Sequence, residues 1–262
     1  MKINYSLPKL SFNKKNIQHV LIVIILYLFF LITSIPATVI LSFVTLPDNV
    51  KLSSISGTIW SGEASKLKMS GVDLGSIKWE LHPLNLIIGE LSADVSVVNN
   101  KQYINTEMSL SSSGKIELEE TRFLIDLSSL QPLIYGMPFS YAGKASGYFP
   151  VSFFHKNNYV GLNGKLSLTS MEMLSPQHQS FGDFIVDFRA EKEGATSGKI
   201  KDSGGVLNLT GQLMLNKNGQ FNFSAKLAAR ESGSSLEKAL SFLGRKDASG
   251  RVQINNNIKL WQ

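Results

Sequence analysis

Between Lys15 and Asp48 no side chain carries a charge, and the centre of that gap reads Val20-Leu-Ile-Val-Ile-Ile-Leu-Tyr-Leu-Phe-Phe-Leu-Ile32. A helix of about 20 apolar residues crosses a hydrocarbon core of roughly 30 Å. In lipid only a helix or a closed barrel satisfies its own backbone groups. The run therefore predicts a single transmembrane helix over residues 17–44. Pro36 either kinks that helix or ends it, with the second apolar run, Val39-Ile-Leu-Ser-Phe-Val44, lying at the far interface. A cleavable signal has a shorter apolar region and a small-x-small site after it; here the apolar character resumes, which favours a retained anchor. Lys2, Lys9, Lys14 and Lys15 precede the span without one acidic residue. The positive-inside tendency puts residues 1–16 in the cytoplasm and residues 45–262 on the far side. In a bacterium with two membranes this is a single-pass inner-membrane protein with a periplasmic C-terminal domain.

Charge and cysteine content narrow the function classes. The net charge is +6, and four of the lysines behind it sit in the basic tail, so the pI of 9.3 reports topology more than partners. No cluster of Lys/Arg with interleaved aromatics marks a nucleic-acid surface. The chain has no cysteine, so a domain outside the cytosol must rest on its apolar core, and thiolate chemistry is excluded.

Beyond the span the dominant rhythm has period two, the mark of half-buried strands. Leu91, Ala93, Val95 and Val97 share one face, as do Phe184, Val186 and Phe188. Leu207, Leu209, Leu213 and Leu215 keep one parity across Gly211, and Phe221, Phe223, Ala225 and Leu227 repeat it after Asn218-Gly219. Asn-Gly between two alternating runs is the strongest hairpin signal in the chain. Ser56-Gly-Thr-Ile-Trp-Ser-Gly62 reads as a short strand between tight turns. Two short stretches look helical: residues 128–135, and the segment opened by Ser234-Ser-Leu-Glu237, which has capping-box spacing. The fold class is mainly β: an antiparallel meander with one apolar face and one or two short helices. Too few helices exist to cover that face, so the sheet curls into a gutter, an open or closed barrel, or a sandwich.

Catalytic constellations are missing from the sequence. His19, His82, His155 and His178 lack a metal-spaced partner. Ser61 lacks the GxSxG context of a nucleophile elbow. Glu119 and Glu120 are adjacent in a strand, hence expected on opposite faces. The expectation is a protein that is not an enzyme and takes no cofactor or metal.

The stretch from Val50 to Val97 resembles the opening of the type II secretion system protein N family. Ser56-Gly-Thr-Ile-Trp-Ser-Gly-Glu-Ala64 and Leu74-Gly-Ser-Ile-Lys-Trp-Glu-Leu-His-Pro-Leu-Asn-Leu-Ile-Ile-Gly-Glu-Leu91 carry the likeness, with Gly57, Trp60, Gly62, Trp79, Pro83 and Gly89 in the family's order and spacing. Glu63 departs from the pattern, where a basic or neutral residue is expected. The resemblance implies an accessory inner-membrane subunit of the machine that exports folded proteins across the outer membrane. It also implies secretion-system subunits of the inner membrane and periplasm as partners, and a β domain of AsmA-like type. A structural role fits the six motif residues: the tryptophans pack on strand ends, and the glycines give positive φ or close strand approach. A second reading, of another class, is an envelope module that carries lipid acyl chains in an apolar groove lined by Leu207, Leu209, Leu213, Leu215, Phe221 and Phe223.

Overall fold

The protein is described by a computed structural model, covering residues 14–43, 46–133, 140–155, 159–175, 178–191, 194–217 and 219–259. The apolar run forms α1 (Lys14–Thr33), and after a break α2 follows (Ala37–Phe43). The one helix expected over 17–44 is thus two, and the break falls at Pro36, whose backbone bridges to Thr58 instead of continuing the helix. Side chains of α1 are described from Ile17 onward and are exposed along its length. Among the described residues, no helix is long and apolar enough to cross a membrane.

The remainder is one sheet of thirteen antiparallel strands, each hydrogen-bonded only to its neighbours in sequence. These are β1 (Val50–Gly57), β2 (Ser61–Met69), β3 (Val72–Leu81), β4 (Glu90–Asn99), β5 (Gln102–Ser111), β6 (Ile116–Asp126) and β7 (Ser140–His155), followed by β8 (Tyr159–Ser175), β9 (Gln179–Ala190), β10 (Thr196–Gly204), β11 (Leu207–Leu215), β12 (Gln220–Ala229) and β13 (Val252–Lys259). β1 and β13 do not pair, so the sheet is not closed and the closed-barrel alternative falls. A third α-helix, α3 (Ser235–Leu243), and two 3-10 helices, Pro83–Ile88 and Leu127–Leu133, interrupt the meander.

Strand register keeps apolar residues in line from one end of the sheet to the other. Ile55 faces Ala64, Ala64 faces Ile77, Ile77 faces Val97 and Val97 faces Ile104. Further along, Gly198, Leu213 and Phe223 stand opposite one another on β10, β11 and β12. Large side chains on this face lie over glycines of the next strand: the Phe123 ring over Gly147 and the Phe149 ring over Gly164. Strands two apart are about 9.5 Å distant. Phe149 of β7 and Phe188 of β9 nevertheless bring ring centroids to 5.8 Å, because Gly164 between them leaves room for the rings to lean together.

The two ends of the sheet differ. At the end where β3 finishes and β4 begins lie the α1–α2 break and the 3-10 turn Pro83–Ile88. At the other end α3 closes the apolar face, setting Leu236 and Leu240 against Phe184, Leu207, Leu209, Leu227 and Val252. Its start has the expected serine cap: the Ser234 hydroxyl accepts from the Glu237 N–H at 3.2 Å, while the Glu237 carboxylate accepts from the N–H of Gly233, one residue before the cap, at 2.6 Å. A compact monomer of this mass exposes about 11,000 Å². The chain exposes 17711 Å², to which the open sheet and the apolar surface of α1 both contribute.

Candidate functional site

All six motif residues gather at one place, the joint between the helices and the sheet. Residues 58–60 are not the expected short strand. They form the turn that carries β1 into β2, closed by the Thr58 N–H donating to the Ser61 carbonyl at 2.9 Å. Gly57 opens this turn with φ +87, and a Cβ there would stand 2.5 Å from the Ser61 oxygen. The turn then receives the end of α1. The last carbonyls of a helix have no partner within it. Here the Trp60 indole N–H donates to the Ile32 carbonyl at 2.9 Å, and the Ile59 N–H donates to the Ile35 carbonyl at 3.1 Å. Ala37, the first residue of α2, is buried, and α2 packs against β1.

The second motif block completes the joint. Trp79 lies over Gly62, where a Cβ would meet the ring at 2.4 Å, and its indole N–H donates to the Ile59 carbonyl at 3.2 Å. The Leu81 N–H donates to the Trp60 carbonyl at 2.6 Å. Pro83 then starts a 3-10 turn at the position where a missing N–H costs nothing, and Gly89 ends it in the left-handed region with φ 78. Proline at its start and glycine at its end fold residues 83–88 as a turn that leads into β4. Its base is fixed to β4 by the His82 N–H donating to the Ser92 carbonyl at 2.9 Å and by the Asn85 amide donating to the buried Ser92 hydroxyl.

The six residues named as a groove lining also fall together. Leu213 faces Phe223 and Leu215 faces Phe221 across the β11–β12 ladder, on the same face as Leu207 and Leu209. Leu207 and Leu209 are buried under α3 as core. Leu213 and Phe223 border a recess of about 430 Å³, together with Met214 and with polar residues such as Lys199, Gln212, Ser224 and Asn255. A recess walled chiefly by apolar side chains, among them Leu74, Val97, Ile104 and Leu130, holds about 230 Å³. That is below the roughly 300–1,000 Å³ of small-molecule sites.

On the opposite face, β1 to β6 form a polar recess of about 740 Å³ bordered by Glu63, Lys78, Asp94, Asn105, Glu107 and Arg122. Glu119 and Glu120 both belong to this face, against expectation. A bulge puts Glu120 at φ 49 and inserts one residue, so that Glu120 reaches Arg122 at 2.7 Å and the Tyr148 hydroxyl at 2.7 Å. Donating to that carboxylate holds the Tyr148 hydroxyl above the ordinary phenol range. Lys66 lies 2.9 Å from Asp73 and, with the Gly75 N–H, holds that carboxyl below its usual range. These are exposed cross-strand and local pairs, of the kind that solvent screens and that contribute little to stability. Among the described residues no group of three or more His, Asp or Glu is placed to hold a metal ion.

A model of the family described as "Type II secretion system (T2SS), protein N" matches residues 48–255. Similar chains are the type II secretion system protein N of Vibrio cholerae, 24% identical over 87% of this chain and 92% of that one, and of Klebsiella pneumoniae, 27% identical over 87% and 89%. The protein N of Aeromonas hydrophila is 25% identical over 88% of this chain and 93% of its own. No solved structure matches. None of these matches carries the wider AsmA-like grouping. With the family's pattern running through both motif blocks and nearly the whole sheet, the chain belongs to the type II secretion system protein N family.

Proposed function

We propose that the chain is an accessory subunit of the type II secretion system, held at the bacterial inner membrane by α1, whose periplasmic sheet makes protein contacts for the export of folded proteins across the outer membrane. The family match across 48–255 carries this reading. Support for the membrane placement comes from α1. The described side chains of α1 from Val20 to Ile32 are apolar and exposed, as lipid contact requires. Lys14 and Lys15 stand at its start, which favours a cytoplasmic N-terminus. The work of such a subunit is binding and not turnover: its charged groups are spread over an exposed polar face in pairs.

Deleting the gene tests this. Folded substrate of the pathway is expected to accumulate in the periplasm, and a plasmid copy should restore its release. Unchanged release from the deletion strain contradicts the proposal.

A further inference from the structure

The 3-10 turn Pro83–Ile88 contains no buried residue. Leu84 is 75% exposed, Leu86 45%, Ile87 82% and Ile88 75%, with no charged side chain between His82 and Glu90. Such a set is costly to hold in water, yet it is not a loose loop. Pro83 and Gly89 fix its ends, and His82 and Asn85 tie its base to Ser92 of β4. The apolar surface continues into Leu91 and Leu110, paired neighbours on β4 and β5 that are 44% and 41% exposed.

Its position identifies what covers it. The turn's stem, Leu81, donates to the Trp60 carbonyl, and Trp60 in turn donates to Ile32 in the last turn of α1. The turn therefore sits at the end of the sheet from which α1 departs, one link of hydrogen bonds from the helix. Other turns at this end, such as residues 112–115, are polar, so the exposed apolar run is particular to Pro83–Ile88. At the opposite end α3 covers the apolar face. Trp60 itself suits a boundary, since tryptophan is enriched where apolar and aqueous phases meet.

We propose that the turn Pro83–Ile88 is a second membrane contact, its leucines and isoleucines seated in the headgroup region of the phospholipid bilayer that holds α1. Apolar side chains on an otherwise uncharged segment bind such an interface by burying their surface. With α1 and the turn both in lipid, the sheet has two points of attachment and one orientation relative to the membrane. The inference rests on the membrane reading of α1, and the experiment separates the two.

The chain has no cysteine, so single cysteines can be added to the full-length protein and labelled with an environment-sensitive fluorophore. Three sites serve: Leu26→Cys in α1, Ile87→Cys in the turn, and Asn100→Cys in the β4–β5 turn at the opposite end of the sheet. Each labelled protein is reconstituted into vesicles of phosphatidylethanolamine and phosphatidylglycerol, with and without lipid spin-labelled near the headgroup. Labels at 26 and 87 are expected to lose most of their emission to the spin-labelled lipid, and the label at 100 none. Loss at 26 with emission kept at 87 overturns the second contact while leaving the anchor, and points to a protein as what covers the turn in cells. Emission kept at both 26 and 87 overturns anchor and contact together. Equal loss at 87 and 100 also overturns it, since the contact would then belong to no particular turn.

Discussion

The indole N–H of Trp60 donates to the carbonyl oxygen of Ile32 across 2.9 Å, linking the first turn of the sheet to the last turn of α1. The same carbonyl also accepts from the Ile35 N–H at 3.4 Å, a weak bond. A family-motif tryptophan thus supplies the partner that a helix end lacks. Because Pro36 and Ile35 also bond to Thr58 and Ile59, the helix leaves the sheet at a fixed place.

Replacing Trp60 by Phe keeps the ring and removes the donor. The expected cost is about 0.5–1.5 kcal/mol, confined to the joint. Hydrogen exchange checks this: the amides of Ile35 and Ile59 should exchange faster while those of the β7–β8 ladder stay unchanged. Unaltered exchange at both positions would show that the joint is held by other contacts.

Gly62→Ala tests the close approach beneath Trp79. Its Cβ would lie 2.4 Å from the ring and 2.8 Å from the Ser56 oxygen, so ring and strand must shift. Overpacking of this kind costs about 1–3 kcal/mol. Gly71→Ala is the comparison, because no atom lies within 4 Å and only its φ of +86 opposes the change. Thermal denaturation should place the Gly62 variant below the wild type, with the loss of near-ultraviolet tryptophan signal seen for it alone.

Leu240 of α3 is 5% exposed, in the cluster with Leu209, Leu227 and Val252. Leu240→Ala removes that plug and is expected to cost about 2–5 kcal/mol. Proteolysis should then cut first between β12 and β13, where α3 lies. Cutting at an unchanged rate would mean that α3 contributes little to closing this end.

Asp247 starts the turn into β13, its carboxylate accepting from the Ser249 hydroxyl at 2.6 Å and the Arg251 N–H at 3.0 Å. These bonds, the Ser249 hydroxyl first, lower its pKa from 3.8 to about 2. The folded chain therefore holds the charged form more tightly than the unfolded chain does. The resulting stabilisation is complete above pH 3.8 and is lost as pH falls towards about 2. Asp247→Asn should flatten that part of an acid denaturation curve; an unchanged curve would remove Asp247 from the account.

The meander itself was legible because period-two runs and glycine turns recur along the chain, and the Ser234–Glu237 spacing marked α3 down to its cap. Two strands left little trace. β7 is broken by Gly143, Gly147 and Pro150, and β10 is built largely of Gly, Lys and Ser. Each is held by neighbours on both sides, so its own propensity matters little. The bulge at Glu120 was hidden for a related reason. The switch from Ile116 and Leu118 to Phe123 and Ile125 changes parity, which is the one signal of an inserted residue. As for the motif, sequence pointed to a structural role for its tryptophans but not to the helix they hold. Their partners are the backbone carbonyls of Ile32 and Ile59, and a carbonyl looks the same at every position of a sequence. Residues 134–135 of the stretch read as helical, and residue 44 at the end of the expected span, lie outside the described residues.

The most direct test of the account is where the sheet resides, because contacts with envelope partners require it outside the cytosol. Alkaline phosphatase fused to the C-terminus folds only in an oxidising compartment. The account predicts an active fusion in intact cells, made inactive when residues 14–33 are deleted. An inactive phosphatase on the full-length chain, with a cytosolic reporter active at the same position, would contradict it.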